Sequence, residues 1–239
     1  MKMIKRISVF LLAILPLAGF AQMTGFGIQL GGNFGSPIGK VEEGATGELG
    51  LGSMHGLVAQ FRVTDFLGIQ TEFHYSYKKS KFSTPISGDT TIYQEVLPGL
   101  IVPITTYFNG SVAGGFDNIY LELPLMATLN IKNDFSVVVG PYVGYLAHAS
   151  NTGLADVIIG NNFRHDVDVP FDQSEFLSPW DYGAVLGVQY DAPEGFNMGI
   201  RMTTGLRSVY VDSYSQVDGP VRNVYLQGSI GYLLRSEKL

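Results

Sequence analysis

The sequence predicts an all-β fold: an eight-stranded, antiparallel up-and-down transmembrane β-barrel with short periplasmic turns and long extracellular loops. Three observations point there. Eight segments alternate apolar and polar residues with period two, which in an extended chain gathers the apolar side chains on one face. The connections between them alternate short and long, as in outer-membrane barrels. The polar face is mostly Gly, Gln, Ser, Thr and Asn with very few lysines. That is too little charge for a water-facing exterior, but it suits the narrow interior of an eight-stranded barrel.

Composition agrees. The 239 residues include 30 Gly, 13 Tyr and 15 Phe with only 15% charged side chains, a balance that favours short-turned antiparallel strands over helix. A formal charge of −6 without a basic block argues against a nucleic-acid partner. The absence of cysteine excludes disulfides, thiol catalysis, thiolate metal sites and a lipid-modified N-terminal anchor. Residues 1–21 read as a cleaved signal peptide: Lys2, Lys5 and Arg6 precede an apolar run from Ile7 to Leu17, and Gly19-Phe20-Ala21 supplies a small-x-small cleavage site. Residues 22–239 then form a single barrel domain.

Taken in order, the first strand is Phe26–Leu30, with Gln29 opposed to the apolar set, and the second is Leu57–Val63, with Gln60 and Arg62 on the polar side. After a turn at Thr64-Asp65, Leu67–Tyr77 sets Gln70, Glu72, His74 and Ser76 on that same side. The fourth, Ile119–Ile131, is the most regular: Ile119, Leu121, Leu123, Leu125, Ala127, Leu129 and Ile131 take every second position. Lys132-Asn133-Asp134 suits a tight reversal into a fifth strand, Phe135–His148. The last three are Tyr182–Tyr190, Phe196–Leu206 and Val224–Leu234, with a short turn at Asp191–Gly195. Long connections fall at about 33–53, 79–117, 148–179 and 208–221. The segment 79–117 is too apolar for a free loop, so strands three and four are expected to continue beyond the bilayer. His165–Asp172 is expected as a solvated acidic loop, because its spacing matches no calcium loop. Aromatic residues near segment ends, Tyr75, Tyr77 and Tyr145 on one side and Phe135, Tyr190, Phe196 and Tyr232 on the other, suit interfacial girdles.

Tyr120-Leu-Glu-Leu-Pro-Leu125, Gly140-Pro-Tyr-Val-Gly144, Glu72-Phe-His-Tyr-Ser76 and the closing Gly228-Ser-Ile-Gly-Tyr-Leu233 resemble the PorT-like outer-membrane β-barrel protein family. The resemblance spans the mature chain. It implies residence in the outer membrane of a Gram-negative cell envelope, contact with outer-membrane lipid and insertion by the barrel-assembly machinery.

Arg62, Glu72, Glu122 and Arg201 lie on the polar faces of four strands. Charges at membrane depth are costly unless paired, so these four are expected to meet in the lumen, as a structural plug or as an ion path. His74 and Ser76, two apart on one strand, form a weak His-x-Ser signal for a lipid-modifying hydrolase. Since they face inward, a hydrogen-bonded interior histidine is the simpler reading. No cofactor and no metal site is expected. The function read from the chain is a non-enzymatic structural or protein-interaction role in the envelope, with loops 79–117 and 148–179 available to other envelope proteins. A small pore or solute-binding barrel is the first alternative, and a lipid A-modifying hydrolase the second.

Overall fold

Extended segments with one apolar face cannot satisfy their backbone groups alone, so they pair. The computed structural model describes residues 22–39, 46–97, 100–132, 134–159, 165–213 and 219–235; the expected leader, 1–21, lies outside them. Ten strands follow in order: β1 (Gln22–Ile38), β2 (Thr46–Arg62), β3 (Leu67–Leu97), β4 (Leu100–Lys132), β5 (Phe135–His148), β6 (Asn151–Ile159), β7 (His165–Asp172), β8 (Trp180–Asp191), β9 (Phe196–Gly205) and β10 (Arg222–Arg235). Eight of them close a ring, β1-β2-β3-β4-β5-β8-β9-β10, in which β10 pairs back onto β1. Every pairing is antiparallel, and each of the eight alternating segments lies in one ring strand.

The faces are those expected. Ile28, Leu57, Leu123, Leu186, Ile200 and Ile230 are between 44% and 61% exposed on the outside, whereas Gln29, Asn33, Gln70, Glu72, His74 and Gln227 are 2% exposed or less inside. An outer wall this apolar is stable only against lipid. Ring pairs mark its margins. Phe135–Tyr190 (4.9 Å between centroids) and Phe196–Tyr232 (5.4 Å) stand at the turn end, with Tyr145–Trp180 (5.2 Å) and His55–Tyr75 (4.8 Å) at the loop end. Phe135 and Tyr145 are ten residues apart on β5. At ~3.4 Å per residue and ~40° of tilt that is about 26 Å, the height of an outer-membrane apolar band.

Turns close the end that carries Gln22 and Arg235. Gly195, at φ +100°, reverses the chain between β8 and β9, and a Cβ there would stand 2.5 Å from the Leu233 carbonyl oxygen. Asp134 takes φ 66° before β5, a conformation Asp tolerates better than most residues.

At the opposite end the long connections are largely not loops, which corrects the sequence reading. β1 and β2 invade 33–53, and β6 and β7 form a hairpin within 148–179, so His165–Asp172 is a strand. The segment 79–117 is the continuation of β3 and β4, as expected. Alternation missed these lengths because pairing needs only backbone donors and acceptors, not a periodic side-chain pattern. β6 pairs with β4 over Phe108–Phe116, and β7 pairs with β6. A four-stranded sheet, β3-β4-β6-β7, therefore projects past the ring.

A lid covers the loop end of the lumen. Phe116, Leu177, Val209 and Tyr210 form a buried apolar cluster with Phe82, Leu146 and Phe176 around it. Ser178 and Val211 donate backbone N–H bonds to Val209 and Phe176, at 2.7 and 2.9 Å, tying the 3-10 turn Ser174–Phe176 to the segment before β10. Asp172 accepts from the Ser174 backbone at 2.9 Å, and its hydrogen bonds to Ser174 hold its carboxyl below the usual range.

Candidate functional site

The lumen is where sequence alternation concentrates chemistry, and it is filled in layers. Nearest the turns lies an amide layer. Asp191 accepts from Gln60 (3.0 Å), Gln189 (2.8 Å) and Asn197 (2.7 Å), while Gln60 and Gln189 also donate to Gln70 Oε1.

The next layer is built on Arg201. Its Nη1 donates to Glu72 Oε2 at 2.5 Å and its Nε to Gln227 Oε1 at 2.7 Å, with Nη2 3.3 Å from His74 Nδ1 and 3.4 Å from Met54 Sδ. Glu72 takes Gln70 Nε2 on its other oxygen at 2.6 Å. His74 Nε2 stands 3.2 Å from Gln29 Oε1 and 3.1 Å from Glu72 Oε2. A guanidinium donor on Nδ1 requires that nitrogen to be the acceptor, so the imidazole carries its proton on Nε2. Gln227 links upward to Asn33, which donates in turn to Ser76 Oγ at 3.0 Å.

The third layer, nearest the lid, holds Lys78. Its Nζ is 2.5 Å from Glu122 Oε1 and 3.8 Å from Asp181 Oδ2, with the side chain 1% exposed. Three tyrosine rings surround the ammonium, Tyr120 at 4.9 Å, Tyr225 at 5.2 Å and Tyr142 at 5.7 Å from their centroids. Tyr142 Oη and Asn223 Nδ2 donate to Asp181 Oδ2 at 3.0 and 2.8 Å. Cation–π contact and two carboxylates together replace the water that this lysine loses.

Of the four charged residues expected to meet, Glu72 and Arg201 pair directly. Glu122 lies in the lumen but pairs with Lys78 instead. Arg62 is corrected. As the last residue of β2 it is exposed and lines a cavity of about 380 Å³ at the turn end, beside Asp65, Asp134, Asp191 and Arg235. Arg62 keeps the parity of Gln60 and lies opposite buried Gly68, but as the strand's last residue it stands at the open mouth of the ring and away from the buried charges. Reading by alternation missed Lys78 and Asp181, each one residue outside the segment chosen. The signal was present: 70, 72, 74, 76 and 78 share one face, as do 181, 183, 185, 187 and 189.

His74 and Ser76 are both fully buried, and their polar atoms are engaged with Arg201, Gln29, Glu72 and Asn33 rather than with each other. That arrangement holds a histidine in place and leaves no nucleophile aligned with a base. No helix among the described residues is long and apolar enough to cross a membrane, and no group of ligating side chains among them suits a metal.

The chain matches the family model described as outer membrane protein beta-barrel domain over residues 20–211. No protein among curated sequences matches it. Solved structures similar to it include Ail, the attachment invasion locus protein of Yersinia pestis, at 10% identity and TM-score 0.37, covering 89% of this chain and 100% of that one. Neisserial surface protein A (NspA) is similar at 11% identity and TM-score 0.36, covering 88% and 98%.

Proposed function

The chain belongs to the outer membrane protein beta-barrel domain family, and from that premise we propose that it is a non-enzymatic outer-membrane barrel that contacts other envelope proteins through its projecting sheet. The turn end faces the periplasm and the loop end faces outward, the side to which long connections point in such barrels. Tyr120–Leu125 and Gly140–Gly144 support a PorT-like membership within the family, export by cleavage after Ala21, and delivery to the barrel-assembly machinery.

The observation that carries this reading is the sheet β3-β4-β6-β7, which continues past the ring and ends at β7, whose outer edge is unpaired among the described residues. Unpaired edges accept a strand from another chain. Among the described residues the charged layers of the lumen are closed by their own partners. A pore or a hydrolase would need the space that Arg201, Lys78 and the lid occupy.

A photo-reactive residue placed at positions along β7 in living cells tests the reading. Protein adducts at β7 but not at lipid-facing Leu226 are expected. Removing 151–172 is expected to leave heat-modifiable migration on gels intact, which shows that the ring folds without the added hairpin. Adducts equally frequent at Leu226, or none on the sheet, would overturn it.

A further inference from the structure

On the outer wall, just above the loop-end aromatic belt, β2, β3, β4 and β6 enclose a cavity of about 410 Å³ that the lumen layers do not use. Cross-strand register builds it. Glu48 lies opposite Lys81, Lys81 opposite Gly115, and Gly115 opposite Thr152, while Lys79 and Asp117 face each other one row below. A one-residue bulge between Leu49 and Met54 in β2 sets this row, because it places Glu48 on the same face as Lys81. The floor is shallow because Ala113 and Gly115 present almost no side chain.

We infer that this cavity binds the phosphorylated sugar headgroup of an outer-leaflet glycolipid. Height selects the ligand. Outward-facing Leu51, 73% exposed, and Tyr77 close the apolar band beneath it. Lys79 and Lys81 follow Tyr77 by two and four residues, about 5 and 10 Å higher at the usual rise and tilt, which is headgroup level. Chemistry agrees. Tyr77 Oη donates to Asp117 Oδ1 at 2.6 Å, and the same oxygen holds Lys79 Nζ at 3.2 Å, so one ammonium is fixed at the cavity edge. Lys81 is exposed and has no ion-pair partner among the described residues. The fixed and the free ammonium suit a phosphate as point charges. The Glu48 carboxylate and the Ser83 and Thr152 hydroxyls are available to sugar hydroxyls around it.

The inference rests on the outward placement of the loop end. It is tested on full-length protein refolded in phosphatidylcholine nanodiscs containing either a diphosphorylated glucosamine-disaccharide lipid or, at equal charge, phosphatidylglycerol. Native mass spectrometry is expected to retain one glycolipid on the wild type and to displace phosphatidylglycerol readily. Lys79→Ala/Lys81→Ala is expected to lower glycolipid retention by roughly tenfold or more, the size of effect two basic residues exert at an anionic headgroup layer, whereas Lys79→Arg/Lys81→Arg retains it. Heat-modifiable migration checks that each variant is folded. Equal retention by wild type and the alanine variant, or equal retention of the two lipids, would overturn the site. Nanodiscs expose both ends, so protease access on intact cells, which reports orientation, can fail while the lipid result stands.

Discussion

Arg201 illustrates how residue-scale chemistry governs this interior. It is the single cation in contact with Glu72 among the described residues, so Arg201→Met strands a carboxylate in a closed lumen. A loss of about 3–5 kcal/mol is expected, the usual result of removing one member of a buried pair. Urea titration in detergent, followed by gel migration, checks it. Glu72→Gln/Arg201→Met should recover most of that loss, because neither charge then remains. Additive losses in the double variant would show that the two residues act independently. Lys78 is a parallel case with two anions. Lys78→Met leaves Glu122 and Asp181 near one another without a cation, and it should destabilise at least as much as Glu122→Gln, after which Lys78 keeps Asp181.

Strands are the scale at which facing is decided. Leu123 and Glu122 are neighbours on β4, yet Leu123 is 49% exposed to lipid and Glu122 is 3% exposed. Leu123→Arg is expected to weaken insertion by ~2–4 kcal/mol, the cost of a cation on the lipid face near mid-bilayer, whereas Glu122→Gln inserts and unfolds earlier. Folding yield into vesicles separates the two, and equal yields would contradict the facing. Turns act at this scale too. Gly195→Ala must hold an L residue in a left-handed region and push against the Leu233 carbonyl, an expected cost of ~1–3 kcal/mol. The thermal midpoint of gel migration reports it.

For the whole molecule, closure is cumulative. Amide layer, Arg201 layer, Lys78 cage and apolar lid lie in series along the lumen, so opening any one leaves the others shut. Planar bilayers containing the purified protein are therefore expected to show no stable conductance steps, and a reproducible open level would contradict a filled lumen. The projecting sheet depends on this rigidity, because β3 and β4 run from the ring into it without a break.

Sequence by itself determined the eight strands of the ring, their order and which face meets lipid. These follow from period-two alternation and from the lengths of the connections, and both are local properties. Tertiary structure alone decided which charges meet. Ring shear brings Arg201 of β9 to Glu72 of β3, and Lys78 of β3 to Asp181 of β8, pairs between strands that are not neighbours in the ring. It also decided that Arg62 stands at the exposed turn-end mouth, away from the buried charges, and that much of 33–53 and 148–179 is strand. Which side chains share one level of a barrel depends on tilt and closure, and no single strand carries that information.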